Sequence, residues 1–499
     1  MTGEHAGIAR DVGLGPFPRL ILRNVTVIDG TGAPPYGPAD VVVEGDRIAS
    51  VFLVGPPTGP RLQPPERPEP GPGGHELDLT GHYVLPGFVD AHGHIGWPGH
   101  VPDAQYVYDL WLGHGITTVR EPGCFINGLD FVRSEAGRSA RDEIAAPRIS
   151  PYVGFGEGHP APFTDPRDAC AWVQGVAERG AEGIKFFGYR RDIYAAALKE
   201  ANRLGLGSCC HHHQGYVAQA TALDSAHWGL GSIEHFYGLP ESMLAGRRLQ
   251  RFALDYNYQN EAMRFADAGR SWAQAAEPGS RQWEDFLDEL VATGVTLDPT
   301  LNVYIGLRDA ERVQNFPWHA DYTAPQLWSY WQPDSGAHGS FFEDWGTEAE
   351  TVWRDSFRRW MAFVKAYFDR GGRVTVGTDP GSIFKLFGFG YPEELELLRE
   401  CGLEPLEVVR AATLWGAELL GRGERIGSVE AGKLADLVVV AENPLANLKV
   451  LYGHGRLRLR DGRVERAGGV AYTVKGGVVY DAAALRERVR TKVAAIKTH

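Results

Sequence analysis

The run Asp90-Ala-His92-Gly-His94 follows the apolar stretch YVLPGFV at 83–89. Residues two apart on an extended chain project to the same side, so His92 and His94 can offer two imidazoles to one ion. Four further groups end comparable apolar runs. Lys185 lies in GIKFF, where a buried ammonium is costly. Either its charged end reaches a polar mouth and pairs with an acid, or the neutral amine has taken up carbon dioxide. The resulting carbamate is an anionic oxygen ligand able to bridge two cations. His211, His212 and His213 close GLGSCC. Alternation places His211 and His213 on one side and His212 on the other. His211, which directly ends the strand, is the expected metal ligand and His213 the expected substrate contact, with a slip of one or two residues left open. His235 ends GSIEH, and Asp379 ends RVTVGTD among small neighbours (Gly377, Thr378, Gly381) that leave room around its carboxylate. A core histidine or a capping aspartate explains any one of these alone. Six ligand-type groups at the same end of separate strands predict a metal centre instead. Imidazole and carboxylate-type oxygen suit Zn²⁺, with Mn²⁺, Fe²⁺ and Co²⁺ as alternatives.

Something must carry these groups to one place. Further strand-like segments occur at 116–121, 147–154, 182–188, 205–211, 231–235, 295–300 and 373–381, with helical sequence at 165–180 and 191–205 between them. Strand–helix alternation, with strands apolar on both faces, predicts βαβ units and a parallel sheet. Eight such strands predict an α/β fold, a (β/α)8 barrel over residues 85–421. Its strand C-terminal ends are the place for catalytic residues. Two stretches interrupt the rhythm, 239–290 and 301–365, and the second carries Trp318, Trp328, Trp331, Trp345, Trp353 and Trp360. Such insertions serve equally as a lid or substrate wall, or as an accessory layer or oligomer contact. The β-rich ends, 20–84 and 422–482, are expected to pair into one small composite β-sandwich domain. Residues 404–421 read as one amphipathic helix, and 55–74 as an exposed Pro/Gly-rich loop.

The chain has 499 residues, 43% of them hydrophobic, so it can bury a large core without a disulfide. Fifty Lys and Arg against 63 Asp and Glu give a net charge of −13, which argues against a nucleic-acid or anionic-membrane partner. The five cysteines form no CxxC pair and are expected as reduced thiols. No signal-peptide pattern and no membrane-length apolar stretch is visible, so a cytoplasmic protein is expected. The expected partners are a small-molecule or peptide substrate and further copies of the chain in a homo-oligomer.

The motifs PGFVDAHGH, GITTVRE, EGIKFFG, GLGSCCH, GSIEH, TVGTDPG and AGKLADLVVV, in this order, resemble the amidohydrolase superfamily, and within it the imidazolonepropionase-like and prolidase-like branch. The resemblance implies a barrel with a composite β-sandwich and two divalent metal ions at the barrel mouth, zinc being the expected metal. It implies that His92 and His94 bind the more buried ion and His211 and His235 the more exposed one. Carboxylated Lys185 would bridge them, and Asp379 would ligate and move protons. The chain departs from the usual HxH-Gly pattern after the fifth strand, with HHHQG in its place. The implied activity is hydrolysis of a C–N amide bond by metal-activated hydroxide, in a peptide or N-acyl amino acid, as in a metallopeptidase. A peptide natural product is one candidate substrate. The alternatives are a cyclic amidase or ring deaminase, or a non-catalytic barrel scaffold; Lys185 counts against deamination. In dipeptidases of the similar branch a histidine on the loop after the third strand helps hold the substrate carboxylate. His159, in GFGEGHPAP, therefore joins His213 and Tyr237 as an expected substrate-binding residue. Arg120 and Glu121 are expected to form a structural ion pair. His5, His75, His82, His100, His114, His227, His319 and His338 read as surface or packing residues.

Overall fold

A computed structural model of the chain describes residues 12–54, 66–124, 127–332, 342 and 345–498. His5, His338 and residues 55–65 of the Pro/Gly-rich loop lie outside these. Seven short strands, Phe88–Asp90, Ile116–Pro122, Arg148–Gly154, Gly183–Phe186, Gly207–Cys210, Ser232–Glu234 and Thr296–Asp298, pair in chain order into one parallel sheet. An eighth segment closes it. Leu297 bridges to Val374, the Thr375 N–H donates to the Leu297 carbonyl at 2.9 Å, and the Ala91 N–H donates to the Val376 carbonyl at 2.8 Å. The first and seventh strands thus share residues 374–376 as a common neighbour, and the ring is complete. Nearly every strand residue is buried, as strands covered on both faces require.

The helices between the strands follow from local signals. Asp165 caps Pro166–Glu178, its side chain accepting from the Arg167 N–H, with proline in the first turn where no donor is lost. Arg191–Arg203 buries Ile193, Tyr194, Ala197, Leu198 and Ala201, the spacing of one helical face. The single helix expected over 404–421 is two, Pro405–Ala412 and Leu414–Leu419. The break is Thr413 (φ −132°, ψ −85°), whose hydroxyl donates back to the Val409 carbonyl at 2.7 Å. The turn lets Gly416 lie against the first barrel strand, where a Cβ would come within 2.8 Å of Val89.

Strands from both ends of the sequence form one nine-stranded sheet. Tyr83–Pro86 pairs with Leu437–Val440 on one edge and with Arg19–Val27 on the other. Leu20, Leu22, Val41 and Val43 from one wing and Leu437, Val439 and Val474 from the other share an apolar core. The final helix, Ala482–Lys497, packs on the first barrel helix, Ala104–Leu112. Arg488 pairs with Asp109, and Lys492 with Asp103 at 2.7 Å.

The two insertions are largely helical, built on Glu261–Ala268, Leu301–Arg308 and Thr347–Asp369. Trp331, Trp353 and Trp360 are fully buried. Trp353 stacks on Tyr304 with centroids 5.8 Å apart, and Trp360 meets Phe236 at 4.8 Å. These tryptophans fasten the second insertion to the barrel rim. No helix among the described residues is long and apolar enough to cross a membrane.

Candidate metal centre

At the C-terminal ends of the barrel strands, three imidazoles turn toward one carboxylate. Nε2 of His92 is 3.7 Å and Nε2 of His94 is 3.3 Å from Oδ1 of Asp379, and Nε2 of His235 is 3.8 Å from Oδ2. The backbone arranges this. The Asp379 N–H donates to the His92 carbonyl at 2.7 Å, and both Asp379 (φ 43°) and His235 (φ 62°) take the left-handed conformation. That conformation costs a non-glycine residue on the order of 1–3 kcal/mol and persists only where the surroundings dictate it.

The outer nitrogens fix the rings. Nδ1 of His92 lies 2.5 Å from Oε2 of Glu234, and Nδ1 of His94 lies 2.9 Å from Oε1 of Glu121. Nδ1 of His235 donates to Oγ1 of Thr300 at 2.5 Å, because that hydroxyl gives its own proton to the Pro299 carbonyl. A neutral imidazole with Nδ1–H so engaged presents the bare Nε2 lone pair inward. Lone pairs of His92 and His235 facing a carboxylate across less than 4 Å repel one another unless a cation sits among them. Donor atoms of His92, His235 and Asp379 all lie within 4.8 Å of one another. The donor set therefore fits a divalent metal.

Lys185 and His211 complete the ring of groups. Nζ of Lys185 is 3.5 Å from Nε2 of His92, and the His211 ring lies 4.8 Å from that of His235. His212 points away, its Nε2 2.7 Å from Oγ of Ser225, whereas His211 and His213 both line the cavity. The three histidines thus alternate in direction along the chain. Burial pushes His92 down to about 4 and His211 and His235 well below the ordinary imidazole range, keeping them neutral. Burial alone would raise the Asp379 carboxyl, but the hydrogen bond and positive charge of His94 oppose it and hold the carboxyl below the usual carboxylate range. Burial likewise opposes charge on His94, yet Asp379 and Glu121 on its two sides lift it to about 10.

The expected Arg120–Glu121 pair does not form. Neighbours on a strand face opposite ways. Arg120 points into the barrel and meets Glu234 at 2.8 and 2.9 Å, while Glu121 turns to His94 and the Ile95 N–H. Glu234 itself is hidden in the GSIEH motif beside its histidine. A charged residue inside an apolar strand is its only sequence signal. Asp298 in VTLDPT is also buried, and burial together with the neighbouring Glu234 drives its carboxyl well above the usual range.

The cavity above the donors has a volume of about 300 Å³. Trp97, Tyr304 and Tyr330 form part of its wall, and the first insertion adds Tyr258 and Arg264. His100 also faces it, packed in the wall. It stacks on Trp97 at 3.6 Å, and its Nε2 lies 2.8 Å from the Gly381 carbonyl. His213 lines the cavity beside Tyr258, ring centroids 3.9 Å apart. Tyr237 is buried behind the donors, its ring 4.8 Å from His211. His159 is not brought to this wall. Its ring packs on Phe163 at 4.3 Å and its Nδ1 meets the Ala161 carbonyl at 2.5 Å.

Residues 83–478 match the amidohydrolase family. An adenine deaminase from Rubrobacter xylanophilus is 23% identical over 271 residues, 50% of this chain and 41% of that protein. The chain thus spans less than half the length of the curated relatives it matches. Among solved structures, bottromycin amidohydrolase superposes with a TM-score of 0.64 at 22% identity, covering 95% of this chain and 90% of the other. A putative prolidase from Bifidobacterium longum gives 0.61 at 20% identity, covering 95% and 99%. With the family matched from the inner strand of the terminal sheet to its last strand, and with the barrel and its convergent donors in place, this chain belongs to the amidohydrolase family.

Proposed function

We propose that the protein is a metal-dependent hydrolase of an amide C–N bond in a peptide or an N-acyl amino acid. The observation that carries this reading is the convergence of Nε2 of His92, His94 and His235 on Asp379, with Nζ of Lys185 3.5 Å from His92. His92, His94, His211, His235, Asp379 and carboxylated Lys185 would hold two divalent ions, zinc being the metal this donor set suits. Bound there, divalent metal supplies Lewis acidity that polarises a carbonyl and acidifies water.

The chain's own residues do the rest. Asp379, ionised at neutral pH, takes a proton from the attacking water and returns it to the leaving nitrogen. Glu234, Glu121 and Thr300 keep the imidazoles in the tautomer that faces inward. Trp97, Tyr304 and Tyr330 exclude bulk water and favour an apolar group beside the scissile bond. His213, on the wall with Tyr258, contacts the substrate, and Tyr237 supports the His211 ring from behind. His159 reaches a substrate carboxylate only if its loop turns inward from Phe163. Similarity to a putative prolidase and to bottromycin amidohydrolase supports a peptide substrate, a peptide natural product included.

The test is metal analysis of the purified protein followed by a dipeptide and N-acyl amino acid screen. The expected result is stoichiometric divalent metal, turnover lost on chelation, and loss of at least about 100-fold in Lys185→Ala. A folded, metal-free protein that hydrolyses these amides, with the Lys185→Ala variant as active as the wild type, overturns the reading.

A further inference from the structure

The turn that carries Asp379 is held at several points. Upstream, the Asp379 N–H donates to the His92 carbonyl at 2.7 Å. Downstream, one backbone oxygen, the Gly381 carbonyl, accepts from two side chains, Nε2 of His100 at 2.8 Å and Nε1 of Trp331 at 3.0 Å. A carbonyl oxygen has two lone pairs, so these two donors fill it. The Gly381 N–H is also engaged, donating to the Lys385 carbonyl at 2.8 Å. His100 approaches so closely that a Cβ on Gly381 (φ 98°) would come within 2.7 Å of its Cε1. Trp331 arrives from the second insertion, where it ends the helix Pro325–Tyr330, and it is fully buried. Its indole N–H is a donor only, and the Gly381 carbonyl satisfies it.

The grip matters because the turn does not hold itself. A residue ahead of proline is driven toward extended backbone, yet Asp379 takes φ 43° ahead of Pro380. The Pro380 ring fixes its own φ near about −65°. Few free rotations therefore join the Gly381 carbonyl to the Asp379 Cα, and pinning that oxygen fixes the carboxylate. The same carboxylate meets Nε2 of His94 at 3.3 Å and Nε2 of His92 at 3.7 Å. We infer that Trp331 and His100 are positioning residues for Asp379, acting through the Gly381 carbonyl. The second insertion is thereby part of the catalytic machinery and not only an accessory layer. The catalytic side of this role rests on the amide-hydrolase reading, in which Asp379 ligates and moves a proton. The placement of the carboxylate does not rest on it and is tested separately.

The experiment compares Trp331→Phe, which removes the N–H and keeps an aromatic ring, with Trp353→Phe. The second variant removes an indole N–H of the same insertion, one bonded to the Phe265 carbonyl at 3.2 Å. Trp331 is fully buried and does not touch substrate, so Trp331→Phe should act on kcat and not on KM. On an amide found in the screen, kcat should fall about 10- to 100-fold with KM within about twofold of the wild type. Zinc affinity, read by competition with a chromogenic chelator, should fall about tenfold. Trp353→Phe should change neither. His100→Phe should repeat the loss of kcat, and His100→Gln, whose amide N–H can stand in for Nε2–H, should recover most of it. A crystal structure of Trp331→Phe should show the Asp379 carboxylate shifted away from Nε2 of His94. Three results overturn the inference: an unmoved Asp379 carboxylate in that crystal structure, wild-type kcat and zinc affinity in Trp331→Phe, or equal losses in Trp353→Phe. If the wild type turns over no amide, the hydrolase reading fails by itself, and zinc affinity and the crystal structure still decide this inference.

Discussion

Nδ1 of His92 lies 2.5 Å from Oε2 of Glu234, and both oxygens of that carboxylate are gripped by Nη2 of Arg120 at 2.8 and 2.9 Å. All three side chains are buried. The orientation of a metal-facing imidazole is therefore set two residues away, by an arginine that never reaches the cavity. Glu234→Gln should keep the fold and weaken metal binding about 10- to 100-fold, read by competition with a chromogenic chelator. Arg120→Met strands a buried carboxylate and should cost about 3–5 kcal/mol in a urea melt. Unchanged metal affinity in Glu234→Gln would mean that His92 is held by its backbone alone.

Gly377 has no room for a methyl group. A Cβ there would strike Oδ1 of Asp298 and come within 2.7 Å of Cβ of His92. Asp298 is locked by Thr375 at 3.1 Å, so the histidine must yield. Gly377→Ala should cost about 1–3 kcal/mol in stability and displace His92 from its ligand geometry. A crystal structure of the variant with His92 unmoved and full metal content would contradict this.

His114 joins the end of the first barrel helix to the loop at Gly453. Its Nδ1 meets the Leu110 carbonyl at 2.7 Å, and its Nε2 accepts the Gly453 N–H at 3.1 Å. Burial, aided by Arg486, pushes its pKa down to about 3. Between that value and the unfolded value of about 6.5, the unfolded chain holds a proton that the folded one does not. Stability is therefore full above about pH 6.5 and falls as the pH drops, by about 1 kcal/mol per pH unit from this group. In urea melts between about pH 6.5 and 5, His114→Gln should show a shallower pH slope than the wild type. Equal slopes would show that His114 does not contribute.

Metal removal should destabilise the barrel as well as silence it. A ligand whose Kd lies about 1,000-fold below its free concentration adds about 4 kcal/mol to the folded state. Dialysis against a chelator is expected to lower the Tm by several degrees, and two added equivalents of zinc to restore it. A melting curve indifferent to chelation would argue that the donors close on each other without an ion.

The convergent groups were legible because each lies near the C-terminal end of a strand-like apolar run that contains or meets a polar residue. His92, Lys185, His235 and Asp379 are found this way. The parity of side chains along a strand separates His211 from His212. The same parity, applied to Arg120 and Glu121, rules out the pair that adjacency suggested. The groups that orient the donors carry no such mark. Glu234 and Asp298 read as ordinary strand residues, and nothing local says that a barrel will bring Arg120 between them. His100 and Tyr258 come from irregular segments, and Arg264 from the insertion helix Glu261–Ala268, and the path of each depends on tertiary packing, so strand periodicity is silent about them.

The strand Tyr83–Pro86 is flanked by Arg19–Val27 and by Leu437–Val440, and the barrel's first helix is clasped by Ala482–Lys497. As the chain emerges from the ribosome, the early strands thus wait for neighbours more than 350 residues downstream, in the manner of the Arg488–Asp109 clasp with its separation of 379. Nascent chains of this protein should therefore expose an open β-edge throughout synthesis of the barrel, a template for intermolecular pairing. Its yield in cells should depend on chaperones that shield that edge until the last strands arrive.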